Sequence, residues 1–156
     1  MKKQQVIPLL KETYLMVIKN SIGSKMFRSL YAKVDGKKTD ITRRGDLSCA
    51  FYASSVLFLF GLIKKKHATV SSTIKDLKRV GWKEIKKPKI GSVLIWAEKE
   101  YENGEKYKHI GFYIGNEKAI SNSPKYRYPI EHSWNRLQER KIVSILWNPE
   151  LKSRIK

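Results

Sequence analysis

From Leu47 to Ile63 the chain reads LSCAFYASSVLFLFGLI, 17 residues without a charge, bounded by Arg43-Arg44 before it and Lys64-Lys65-Lys66 after it. No other segment restricts the fold as strongly. Its length sits at the bottom of the range that spans a bilayer, and it contains Ser48, Tyr52, Ser54, Ser55 and Gly61. These residues favour a helix buried in a protein core over a membrane span. A helix that is apolar on every side must be covered on every side, so the rest of the chain has to supply layers around it. Asp46 or Ser48 offers its N-cap, and it should end near Gly61.

The flanking segments can provide those layers. Val6, Leu9, Leu10, Tyr14, Val17 and Ile18 recur at helical spacing, which predicts an amphipathic helix over about Lys3 to Asn20. A loop is expected from Gly23 to Arg44, with an apolar patch at Met26, Phe27, Leu30 and Tyr31. Thr69 to Ser72 supplies a second cap, and Ile74, Leu77 and Val80 mark a short helix stopped at Gly81. Beyond Pro88 the pattern changes to short runs mostly rich in β-branched and aromatic residues: Ser92–Ala97, Ile110–Ile114, Ala119–Asn122 and Ile142–Trp147. Turn residues such as Asn103-Gly104 and Gly115-Asn116 separate them. Helices followed by strands predict an α+β fold, with the N-terminal helices packed on one face of an antiparallel sheet. With 156 residues, 41% of them hydrophobic, and no repeat or linker, the chain should form one domain over 1–156, residues 1–22 being a helix packed on it.

Charge narrows the partners without choosing among them. Lys and Arg number 33 against 14 Asp and Glu, a net +19, and such a field attracts nucleic acid, anionic lipid surfaces or anionic wall polymers. The lysines are spread along the chain, at Lys37-Lys38, Lys64–Lys66, Lys86-Lys87, Lys152 and Lys156, as on a solvated surface with salt-dependent, non-specific attraction. There is no zinc-finger, Gly-rich phosphate loop or RNA-binding aromatic motif, so specific nucleic-acid recognition is not expected. One cysteine excludes both an internal disulfide and a cysteine-rich zinc site. The start, MKKQQVIPLL, is broken by Gln4, Gln5 and Pro8 and does not read as a secretory signal. The expected location is cytoplasmic by default, or outside the cell by a non-classical route, and the chain is expected to be a monomer.

Chemistry can gather around Cys49. It stands at the N-terminal end of the apolar helix, where free N–H groups and the helix dipole favour a thiolate and lower its pKa. A small buried hydrophobe is the other role a cysteine fills there. His109 opens a strand, HIGFYIG, after a polar loop from Glu98 to Lys108, and from there it can take a thiol proton. His67 follows three lysines and should be solvated; His132 either lines a cleft or is exposed.

The order of these blocks is informative: LSCAFYAS around Cys49, KPKIGSVLIW from Lys87 to Trp96, and HIGFYIGNEKAISNS from His109 to Ser123. It resembles the NlpC-type cell-wall cysteine peptidases, which have a papain-like fold. The resemblance covers roughly Leu30 to Ser123. It departs at the nucleophile, where the family usually has Asp-Cys-Ser-Gly and this chain has Leu47-Ser48-Cys49-Ala50, with Asp46 three residues ahead. It implies that Cys49 is the nucleophile and His109 the general base. The polar residue that orients the histidine falls in register on Ser121, with Asn122 beside it. An amide oxygen accepts more strongly than a hydroxyl, which favours Asn122, and strand alternation lets only one of the two face the site. Oxyanion stabilisation is expected from the Cys49 N–H, with Ser48, Tyr31 and His132 as side-chain candidates for that role or for contact with substrate.

What the resemblance implies is a cysteine hydrolase of amide bonds in bacterial cell-wall peptides, working through an acyl-enzyme without metal or organic cofactor. Two alternatives stay open. The same site can serve an acyltransferase or an amidase on a non-wall substrate, or the chain is a basic nucleic-acid-binding module with an inert Cys49.

Overall fold

The protein is described by a computed structural model covering residues 1–101, 103–135 and 140–152, so Lys156 lies outside the described residues. The uncharged run folds as helix α2, Cys49–Leu59. Gly61 then turns the chain with a left-handed φ of +66° and returns Leu62 and Ile63 to the interior. Eleven residues cannot cross a bilayer, and no helix among the described residues is long and apolar enough to do so. Tyr52, Ala53 and Leu57 have no exposed surface, as a helix with no polar side requires.

Helix α1, Leu10–Asn20, covers one side of α2 through Tyr14 and Ile18. The Tyr14 ring meets Phe60 and Phe112 edge-on, each at 5.8 Å, and its hydroxyl donates to the Gly91 carbonyl at 2.9 Å. Just past α1, the Ser21 hydroxyl shares a 2.7 Å hydrogen bond with the Tyr52 hydroxyl. The helix begins later than the spacing of apolar residues predicts. Residues 1–9 are not helical, and Val6 and Ile7 are exposed. Pro8 is the physical reason, since it disfavours helical backbone at the residue before it. Helix α3, Val70–Arg79, is capped as expected: the Thr69 hydroxyl accepts from the Ser72 N–H.

Strands β1 (Tyr31–Val34) and β2 (Lys37–Asp40) form a separate hairpin where the sequence suggested only loop. Its two turn residues, Asp35 and Gly36, have φ of 50° and 78°, the pairing of positive angles that an Asp-Gly hairpin turn uses. Strands β3 (Lys83–Glu84), β4 (Val93–Glu100), β5 (Lys106–Gly115), β6 (Lys118–Asn122), β7 (Pro129–Ser133) and β8 (Ile142–Trp147) build one antiparallel sheet in the order β3-β8-β4-β5-β6-β7. The fold is α+β. The four predicted strands are present, β4 and β5 reach well into the stretch read as a polar loop, and β3 and β7 are additional.

Alternation along the strands gives the sheet two apolar faces. Val93, Ile95, Ile110, Phe112, Ile120 and Leu146 face the helices in the main core. Leu94, Trp96, Ala119 and Ile145 point the other way into a smaller cluster, where the Trp96 indole N–H donates to the Trp134 carbonyl at 2.9 Å. His109 stands directly opposite Trp96 in the β4–β5 register, which places it on this outer face.

Candidate active site

The turn that delivers Cys49 is unusual. Arg43, Arg44 and Gly45 have successive positive φ values of 50°, 54° and 94°, conformations that cost a non-glycine residue on the order of 1–3 kcal/mol each unless the surroundings hold them. The surroundings do. Asp40 accepts from the N–H groups of Leu30, Thr42 and Arg44, each at 3.1 Å, and from the Thr42 hydroxyl at 2.8 Å. Burial pushes the Asp40 carboxyl up, but these donors outweigh it and bring its pKa to about 2. From the other side the Asn122 amide donates to the Gly45 carbonyl at 2.9 Å.

Cys49 is therefore the first residue of α2, with Ser48 at the N-cap position. The β5–β6 ladder pairs Phe112 with Ile120 and is not continued to Ile110. The N–H groups of Ile110, Ala50 and Cys49 itself act on the Cys49 thiol, each favouring its charged form. His109, one residue before, and Cys49 line the same cavity of about 640 Å³, walled also by Tyr101, Tyr107, Asp46 and Glu98. Among the described residues no hydrogen bond joins the thiol to the imidazole. A smaller cavity of about 210 Å³ lies against the other side of His109, lined by Ser121, Ser123, Tyr126 and Arg140.

His109 is buried, and its Nε2 lies 2.8 Å from the Ser121 hydroxyl. Gly111 makes this approach feasible: a Cβ there would come within 2.7 Å of both the Ile120 carbonyl and the Ser121 Cβ. Ser121 in turn lies 2.7 Å from Nε2 of His132, whose Nδ1 is 2.9 Å from the Ser133 carbonyl. Trp96 packs against both imidazoles, with ring centroids 5.4 and 5.5 Å away.

The electrostatics correct the expectation of an activated thiolate. Burial pushes the Cys49 thiol up, against the pull of the Ile110 and Ala50 N–H groups and the Arg140 charge. Burial also lowers His109, to about 3, with Arg140 and His132 adding to the effect. The resting pair is thus a neutral thiol beside a neutral imidazole. The helix start contributes its N–H groups, but desolvation outweighs them.

The candidates divide as follows. Cys49 and His109 line one cavity, and Ser121 is hydrogen-bonded to His109 on the side of the smaller one. Asn122, favoured over Ser121 from sequence, points away from His109 because adjacent strand residues face opposite sides, and it braces the turn that leads into Cys49. Ser48 is fully buried, its hydroxyl has no hydrogen-bond partner among the described residues, and it does not line the thiol cavity. Tyr31 is exposed on β1 with the Lys38 ammonium 4.8 Å from its ring centre, and it borders a different, shallower pocket. His132 touches neither cavity and bonds Ser121 from behind. His67, expected in solvent, is held 2.7 Å from Asp76, which also accepts from the Lys64 and Lys65 N–H groups.

Sequence reasoning missed Tyr101, Tyr107 and Arg140. Tyr101 follows the end of β4 and Tyr107 lies near the start of β5, in the stretch that read as loop. Arg140 is buried and donates to the Tyr107 carbonyl and the Tyr101 hydroxyl; only its place ahead of the last strand offered a signal. Among the described residues no three His, Cys, Asp or Glu side chains gather as metal ligands. No family model and no curated protein matches this chain.

Proposed function

We propose that this protein is a cysteine hydrolase of amide bonds, with peptides of the bacterial cell wall as the substrate class its NlpC-like motifs suggest. One observation carries the reading: His109 is bound to the polar residue twelve positions on, Ser121, while facing the cavity that Cys49 enters. A papain-like arrangement is the finer fold assignment that goes with it. His109 takes the Cys49 proton as sulfur attacks the substrate carbonyl, forming the C–S bond. The N–H groups of Cys49, Ala50 and Ile110, which act on the thiol, are the donors available to the developing oxyanion. His109 then returns the proton to the leaving amine as the C–N bond breaks. Water, deprotonated by the same imidazole, attacks the thioester, and the thiol leaves with that proton. Because thiol and imidazole start neutral, the proton moves during attack rather than beforehand.

The test is digestion of purified wall peptides with free-amine detection, comparing wild type with Cys49→Ala and His109→Ala. New amines from the wild type alone are the expected result. Their absence, with amide or ester transfer products in their place, supports the acyltransferase alternative. The raised thiol favours the third reading, a basic binding module. Salt-dependent nucleic-acid binding unaffected by Cys49→Ala, without any acyl chemistry, would decide for it.

A further inference from the structure

We infer that His132 is a positioning residue which, acting through Ser121, holds His109 in the one tautomer whose free lone pair is on Nδ1. The inference rests on the hydrolase reading for its purpose, but the proton positions follow from the hydrogen-bond geometry of two neutral rings. A backbone carbonyl only accepts, so the 2.9 Å contact to the Ser133 carbonyl places a proton on His132 Nδ1. In a neutral imidazole the other nitrogen is then bare. His132 Nε2 must accept the hydrogen bond at 2.7 Å, and the Ser121 hydroxyl must donate it. A hydroxyl has a single proton, so towards His109 the Ser121 oxygen can only accept. His109 Nε2 therefore carries the hydrogen across the 2.8 Å contact, and its Nδ1 is left bare.

The direction of all three bonds is set by the Ser133 carbonyl of β7. A serine alone could not do this, because its hydroxyl turns to suit either tautomer. That explains how the weaker acceptor serves where an amide was expected: His132 takes up the serine proton and removes the choice. The neighbours are compatible with two neutral rings. Burial lowers both histidines, Lys118 lowers His132 further, the Ser133 carbonyl and Glu131 oppose this, and Arg140 acts against protonation of His109.

The experiment is ¹⁵N NMR of histidine-labelled protein at neutral pH, where long-range ring couplings distinguish Nδ1–H from Nε2–H. The chain has three histidines, and single substitutions assign them. The expected result is Nε2–H at His109 and Nδ1–H at His132. His109 in the Nδ1–H form, or His132 in the Nε2–H form, overturns the inference without recourse to any variant. His132→Leu should give His109 a mixed tautomer population and slow Cys49 alkylation by iodoacetamide on the order of 10-fold, within what general-base assistance supplies. His132→Gln, whose amide oxygen reaches the Nε2 position, should restore both. An unchanged His109 tautomer in a folded His132→Leu protein also overturns it. Failure to cleave wall peptides with these tautomers in place removes the hydrolase reading and leaves the proton assignment standing.

Discussion

Replacing Gly45 by alanine should cripple the turn that presents Cys49, and its cost can be built from two parts. With φ at +94°, the backbone lies in a region L-residues seldom adopt, costing roughly 1–2 kcal/mol. The added Cβ would also sit 2.9 Å from the Arg127 Cβ and 2.9 Å from the Arg127 carbonyl oxygen. Backbone must move to relieve that contact, at roughly 1–3 kcal/mol for overpacking. The expected loss is about 2–5 kcal/mol, on the order of 10 °C in melting temperature for a chain of this size. Gly81 provides the control: its φ is +104°, yet nothing lies within 4 Å of its would-be Cβ, so Gly81→Ala meets the dihedral cost alone. Urea unfolding followed by tryptophan fluorescence measures both variants. If Gly45→Ala is no more destabilising than Gly81→Ala, within about 0.5 kcal/mol, the packing of Arg127 on the turn does not work as described.

Three further outcomes follow from the site. Because burial raises the Cys49 thiol, its alkylation by iodoacetamide should climb through and beyond the ordinary thiol pKa of about 8.5; an acid-side plateau below pH 7 would reveal a preformed ion pair and refute the neutral resting state. Ser121→Ala should cut wall-peptide cleavage on the order of 10-fold with little change in KM, while Asn122→Ala should mainly lower stability, by roughly 1–3 kcal/mol for the stranded Gly45 carbonyl; equal kinetic effects of the two would contradict the assigned faces. His109 stays neutral down to about pH 3 when folded, whereas in the unfolded chain it protonates near 6.5. The unfolded state thus binds the extra proton, and stability should fall as pH drops from about 6.5 towards 3. His109→Gln should flatten that part of the thermal-midpoint profile, and an unaltered profile would show that His109 is not the group responsible.

The parts of this molecule legible in the sequence were those fixed by local chemistry. Thr69 capped its helix, the uncharged run became the central helix, and the Val-Leu-Ile-Trp stretch became a strand covered on both faces. Motif spacing singled out Cys49, His109 and the Ser121-Asn122 pair, and the fold joins His109 to Ser121. What escaped depended on partners distant in sequence. Asn122 outranked Ser121 on acceptor strength alone, because nothing local shows that His132 stands behind the serine to complete it. Strand β7 carries Glu131, His132 and Ser133 at a half-covered edge and lacks an apolar alternation to announce it. The β1–β2 hairpin carried its Asp-Gly turn openly, but Lys33, Lys37 and Lys38 around it gave no apolar face. The helix dipole predicted an acidic thiol, and only the three-dimensional enclosure of Cys49 reverses that sign.

The two margins of the six-stranded sheet bear on how this chain behaves in a crowd. One margin is β3, two residues long and made of Lys83 and Glu84; the other is β7, whose first residue, Pro129, has no N–H to offer. Short, charged or proline-bearing margins are poor templates for another chain's strands. The separate hairpin bears three lysines, and two copies brought together there would repel. Strand-to-strand growth, the usual route by which a sheet protein gels or forms fibres, is therefore discouraged at these margins, and concentrated solutions should stay clear at low ionic strength, where that repulsion is least screened.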